Sequence, residues 1–170
     1  TIVTHGTSQS NHTRLIAAAC SKLELKCEMI LEHRVDIQDD AYLNSGNVYL
    51  NHFFDTNIHY LPAGKTIETE MMETAQQVIN KGGTPYVISR GGSTPMGTLG
   101  YVKAADEITR QLAEKKLKIN HIIHATASGG TQAGLLIGLT SKASNIKILG
   151  ICANLPRKAQ EERVYNLALE

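Results

Sequence analysis

Three stretches of this chain gather residues able to bind an anion or hold a proton. The first, "TSQSNHTR" from Thr7 to Arg14, sets Ser8, Gln9, Ser10, Asn11 and His12 directly before a helix of Leu, Ile and Ala. One Ser or Asn would cap that helix by accepting its first-turn N–H groups. Five hydrogen-bonding residues exceed that need, and a helix start also suits a bound anion or a polarised ring substituent. The second, "ASGGTQAG" from Ala127 to Gly134, passes from a strand through Ser128, Gly129, Gly130 and Thr131 into a helix. Glycines there let several N–H groups converge on one point, a turn built for a phosphate, although a tight strand-to-helix turn with no ligand reads the same way. It is neither the phosphate loop with Gly-Lys-Ser/Thr nor a dinucleotide fingerprint with spaced glycines. The third, "SRGGSTPMGTLGY" from Ser89 to Tyr101, is a glycine- and serine-rich connection in which Tyr101 is able to stack or donate a hydrogen bond, or to serve in the core.

Positioning these stretches requires strands that alternate with helices. Short β-branched and apolar runs begin at Thr1, Cys27, Asn57, Pro85, His121 and Lys147 and read as strands. Helical spacing appears over 14–23, 47–54, 67–80, 99–116 and 132–142, and again from Lys158 onward. A βα unit repeated in this way predicts an α/β protein: a largely parallel sheet flanked by helices on both faces, three layers deep, with ligands at the carboxyl ends of the strands. "NKGGTP" at 80–85 is the best boundary, because the paired Gly stops a helix and Pro opens a strand. It predicts a smaller αβα domain over 1–83 and part of a larger domain over 84–170. The polar connection from His33 to Asn47 reads as a solvated loop.

Composition excludes several classes. A chain of 170 residues, 42% hydrophobic and 19% charged with a formal net charge of +1, is globular and carries no signal for a nucleic-acid partner. No apolar run approaches the roughly 20 residues that span a bilayer. Cys20, Cys27 and Cys152 stand at no metal-ligand spacing and read as reduced core residues, which suits a cytoplasmic protein. The chain begins on Thr1, inside an apparent strand, and so reads as a piece of a longer polypeptide.

Taken in order, "QSNHTR" before an Ala-rich helix, "SGNVYL", "PYVISRGGSTPMGTLGY" and "ATASGGTQAGL" resemble the pyridoxal-phosphate enzymes of the second fold type. The resemblance is to the branch that holds D-cysteine desulfhydrase, aminocyclopropane-carboxylate deaminase and cysteate sulfo-lyase. It implies a two-domain lyase or deaminase that binds pyridoxal phosphate and a small amino acid, commonly as a homodimer. By resemblance, Ser10 stands over the cofactor and handles a proton, Asn11 bonds the ring hydroxyl, and Ser128, Gly129, Gly130 and Thr131 form the phosphate loop. Gln9, His12 and Tyr101 are then candidates for substrate contact, with His12 favouring the desulfhydrase side of the branch. Two departures stand out: His5-Gly6 replaces the usual pair of glycines, and no lysine here lies in the Gly-Gly-Asn-Lys context of the Schiff-base residue. The chain therefore reads as the central part of an enzyme, inactive by itself. A non-catalytic phosphate-ligand-binding α/β module is the alternative from a different class.

Overall fold

The computed structural model describes residues 1–33, 37 and 39–170. Among the described residues six strands alternate with seven α-helices, in two compact units, Thr1–Gly91 and Gly92–Glu170. Among the described residues no helix is long and apolar enough to cross a membrane.

In the first unit β1 (Ile2–Thr7), β2 (Cys27–Glu32), β3 (Asn57–Tyr60) and β4 (Tyr86–Ile88) form one sheet in the order β3-β2-β1-β4, every neighbouring pair parallel. Side chains of a strand alternate between faces, so β2 feeds two cores at once. Its Ile30 joins Val3 of β1 against Ile67, Met71 and Val78 of α4 (Ile67–Asn80). Cys27, Met29 and Leu31 turn to the other face, against Ala17 and Cys20 of α1 (Asn11–Lys22). Helices on both faces of a parallel sheet give the three layers that the sequence predicts.

Local chemistry sets the helix ends. Thr66 caps α4 by accepting from Thr69 N, and Glu68 and Glu70 lie in its first turn, where the helix dipole favours acidic groups. The helix stops where Gly82 takes φ +78 and the Gly83 N–H turns back to the Val78 carbonyl at 2.9 Å. The division into units nevertheless falls after Gly91, beyond the Gly82-Gly83 break, because β4 is laid in register with β1, Ile2 opposite Tyr86. The segment read as a polar loop carries a short helix, α2 (Asp40–Asn44), capped by Asp39, and then α3 (Gly46–Phe53). Residues 34–36 and 38 of that segment lie outside the described residues.

In the second unit β5 (His121–Thr126) and β6 (Lys147–Cys152) pair in parallel. Ile122 and Ile148 pack against a core formed by Ala105 of α5 (Pro95–Glu114) with Leu135 and Leu139 of α6 (Gly130–Thr140). The last helix, α7, spans Arg157–Leu169. α5 starts earlier than the hydrophobic spacing predicts, since Thr94 caps it by accepting from Gly97 N and Pro95 sits in the first turn, where its missing N–H costs nothing. "SRGGSTPMGTLGY" is thus half connection and half helix. α5 and α6 cross closely at Gly134 and Gly138: a Cβ on Gly134 would stand 2.4 Å from the Thr98 carbonyl oxygen and one on Gly138 2.5 Å from the Ala105 Cβ.

Candidate functional site

The first unit presents its polar cluster where β1 ends and α1 begins. Ser10 is the N-cap of α1, with extended backbone (φ −70, ψ 126). Its hydroxyl accepts the Thr13 N–H at 3.4 Å, a long bond beside the 2.9–3.0 Å that is usual, roughly the limit of useful capping. The helix start lies close to the strand because residue 6 is glycine: a Cβ there would approach Thr13 Cγ2 to 2.7 Å and Ser10 Oγ to 2.9 Å. Ser8 is buried, and its Oγ lies 3.0 Å from Nδ1 of His33, whose ring stacks on Tyr60 at 4.8 Å.

The Gln9 side chain is held by three hydrogen bonds. Its Nε2 donates to the carbonyls of Tyr42 (2.6 Å) and Ser45 (3.0 Å), and its Oε1 accepts the Asn47 N–H at 2.9 Å. Both amide protons are committed, so the side chain fastens the loop to the α2–α3 corner. Gly46 (φ +60) permits this approach, since a Cβ on it would lie 2.7 Å from Gln9 Oε1.

Asn47 is the residue that sequence reasoning missed in this unit. Its Nδ2 donates to the Gln9 carbonyl and to Asn11 Oδ1, each at 2.9 Å, and its Oδ1 accepts from Arg14 Nε at 3.4 Å. With Oδ1 of Asn11 held, the exposed amide of Asn11 presents its N–H₂ outward as a donor. The only signal in the sequence was a polar residue opening the helix of "SGNVYL". His12 is oriented as well. The Thr4 hydroxyl donates to the Ile88 carbonyl at 3.0 Å, so at 3.2 Å its oxygen receives the proton of His12 Nε2 and Nδ1 is left as the acceptor. Burial, then the nearby His5, hold His12 below the ordinary imidazole value and keep it neutral.

The second unit presents the glycine turn between β5 and α6. Gly129, the N-cap of α6, has φ +96, a left-handed conformation that glycine adopts without strain, and it has no side chain of its own to cap the helix. The first-turn N–H groups of Thr131 and Gln132 have no intrahelical acceptor. With the hydroxyls of Ser128 and Thr131 alongside, this donor set, uncharged and turned toward one helix end, fits a phosphate group. Gly130 contributes differently from expectation: its N–H donates to Ser93 Oγ at 3.1 Å, and a Cβ on it would stand 2.7 Å from that oxygen. Ser93 Oγ in turn donates to Ser128 Oγ at 2.7 Å.

Helix α7 braces the same turn. Gln160 Nε2 donates to Thr126 Oγ1 at 3.0 Å in a buried pair, and one turn later Arg163 donates to the Ala127 carbonyl at 2.9 Å. Tyr101 lies within α5, exposed, with its Cβ at the Gly134 crossing. Among the described residues no group of three or more His, Cys, Asp or Glu is placed to hold a metal.

The family model described as "Pyridoxal-phosphate dependent enzyme" matches residues 1–168. A D-cysteine desulfhydrase of Salmonella choleraesuis (strain SC-B67) is 35% identical over 167 residues, 98% of this chain and 51% of the relative. One of Salmonella paratyphi C (strain RKS4594) is 34% identical over the same shares. The chain thus spans about half the length of the curated relatives it matches. Among solved structures, an aminocyclopropane-carboxylate (ACC) deaminase homologue superposes with a TM-score of 0.83 at 30% identity, covering 99% of this chain and 49% of that one. A diaminopropionate ammonia lyase of Escherichia coli, in its apo form, superposes with a TM-score of 0.65 at 17% identity, over 98% of this chain and 45% of its own, a likeness of fold alone.

Proposed function

The chain belongs to the pyridoxal-phosphate dependent enzyme family, and on that premise we propose that it is part of a lyase that splits D-cysteine or a similar small amino acid. With D-cysteine, water enters, and pyruvate, ammonia and sulfide leave. Aminocyclopropane-carboxylate deamination and cysteate sulfo-lysis are the nearest alternatives, separable by substrate. The observation that carries the reading is the start of α6, opened by Gly129 in the left-handed region, with the first-turn N–H groups of Thr131 and Gln132 lacking an intrahelical acceptor.

When bound, pyridoxal phosphate supplies an electron sink for the carbanion at the substrate's α-carbon. The chain's own residues bind and orient. Ser128 and Thr131 hold the phosphate by hydroxyls and first-turn N–H groups, and Gly129 and Gly130 let the backbone come close. Asn11, turned outward by Asn47, donates to the ring hydroxyl oxygen. Ser10, whose hydroxyl is only weakly engaged in capping, is free to carry a proton to or from the substrate carbon. His12 offers Nδ1 as a neutral acceptor for the substrate. Gln9 acts one step away, by fixing the loop that carries Ser10. Tyr101 remains a candidate substrate contact from α5, and a homodimer is the assembly expected from the family resemblance.

The test uses the full-length polypeptide that contains this chain, loaded with pyridoxal phosphate and offered D-cysteine, 1-aminocyclopropane-carboxylate and cysteate in turn. Sulfide and pyruvate from D-cysteine support the reading. Turnover of one of the other two substrates alone would move the assignment to that alternative, and no turnover of any of them would refute it.

A further inference from the structure

We propose that Ser93 is a positioning residue of the glycine turn, one that sets the direction of the Ser128 hydroxyl and selects which N–H groups the turn offers to a phosphate. The proposal rests on the reading of that turn as the phosphate site.

A serine hydroxyl owns one proton and two lone pairs. Ser93 gives its proton to Ser128 Oγ, 2.7 Å away, and accepts the Gly130 N–H at 3.1 Å. Ser128 therefore receives a proton from Ser93, and its own must point elsewhere. A fully ionised phosphate oxygen brings lone pairs and no proton, so it needs to meet a donor, and Ser93 makes Ser128 one. The bond from Ser93 also polarises the Ser128 hydroxyl and strengthens what that hydroxyl donates. At the same time Gly130, the first residue of α6, has its N–H tied, which leaves the N–H groups of Thr131 and Gln132 as the free donors of the first turn.

Ser93 is itself held firmly. It follows Gly92 at φ +59 and precedes Thr94, whose N–H donates to the Gly92 carbonyl at 2.9 Å and whose hydroxyl caps α5. The approach is close enough that a Cβ on Gly130 would stand 3.2 Å from Ser93 Cα. The start of α5 thus registers the start of α6 through one hydroxyl.

The test separates phosphate from ring. Apo full-length protein is titrated by absorbance with pyridoxal phosphate and with pyridoxal, which has the same ring and no phosphate, in the wild type and in Ser93→Ala, Ser128→Ala and the double variant. Ser93→Ala should weaken pyridoxal phosphate about 10- to 100-fold and leave pyridoxal unchanged. Because Ser93 acts through Ser128, the double variant should lose less than the product of the two single losses. The proposal is overturned if Ser93→Ala weakens both ligands alike, or lowers the melting temperature with both affinities intact, or multiplies with Ser128→Ala. A wild type with no preference for the phosphate-bearing ligand would overturn the phosphate site itself, and Ser93's part with it.

Discussion

Ser10 is a helix cap and, in the proposed function, a proton carrier, and the two roles make different demands on the same oxygen. Capping needs only its lone pair, which accepts the Thr13 N–H at 3.4 Å; proton handling needs its hydrogen. Ser10→Ala in the full-length enzyme should therefore leave cofactor absorbance in place and slow D-cysteine turnover by about 10² to 10⁴. Were it only a cap, the variant would lose about 1 kcal/mol of stability and keep its turnover per folded molecule. His12 gives a pH signature. Its folded pKa lies below the ordinary 6.5, so between the two values the unfolded chain binds the proton and the folded one refuses it. Its contribution to stability is complete above the ordinary value and is lost as pH falls below it. Urea midpoints measured from about pH 7.5 to about pH 5.5 should fall more steeply for the wild type than for His12→Gln. Equal slopes would remove His12 from the account. Ser10 and Asn11 stood out in the sequence as candidates because polar residues crowd there beyond what capping needs and because they match the family's Gln-Ser-Asn motif. Asn47 and Ser93 did not, since their partners Asn11 and Ser128 lie 36 and 35 residues away and only the fold brings them together.

At the scale of elements, the α5–α6 crossing makes a prediction with opposite signs at two glycines. Gly→Ala inside a helix ordinarily stabilises by about 0.5–1 kcal/mol, because alanine loses less backbone freedom. Gly100, in α5, has nothing within 4 Å of its missing Cβ and should follow that rule. Gly134 should break it: a Cβ there meets the Thr98 carbonyl oxygen at 2.4 Å and the Tyr101 Cβ at 2.5 Å, so the helices must separate, at a cost of about 1–3 kcal/mol. Denaturant midpoints of Gly100→Ala and Gly134→Ala that moved the same way would contradict this account. The six strands were legible as β-branched runs, and Ile67–Asn80 was legible to its ends because Thr66 and Gly82 punctuate it. The start of α5 was not, although Thr94-Pro95 is a start signal, because the glycines on both sides dilute the helical spacing. α2 escaped notice for want of length, with five residues and none buried to give a period.

For the whole molecule the cysteines give a simple count. Cys20 and Cys27 are buried in one core and Cys152 is exposed at the end of β6. Burial is the main cause that pushes the Cys27 thiol up to about 12, and burial raises Cys20 as well, so both stay protonated and unreactive. A disulfide reagent at about pH 8 should label Cys152 alone in the folded chain and all three cysteines after denaturation. Rapid labelling of Cys20 or Cys27 in the folded chain would mean that this core opens readily. The composition and the βα alternation made the α/β class legible, but not the strand order or the place of β4. Pro85 and the glycines before it look like a beginning, and only the ladder with β1 joins this strand to what precedes it. That ladder has a consequence for how the chain assembles. Thr1 reaches the Thr84 carbonyl, and Thr4 the Ile88 carbonyl, across 83 and 84 residues of sequence, whereas β2 follows β1 closely. As the polypeptide emerges from the ribosome, β1 can pair on one side early and must wait for its partner on the other. Contacts so distant in sequence slow folding, and the unfilled edge is a template for another chain. The strand that leads into Ser10 thus keeps one edge open during synthesis until Tyr86–Ile88 arrives to pair with it.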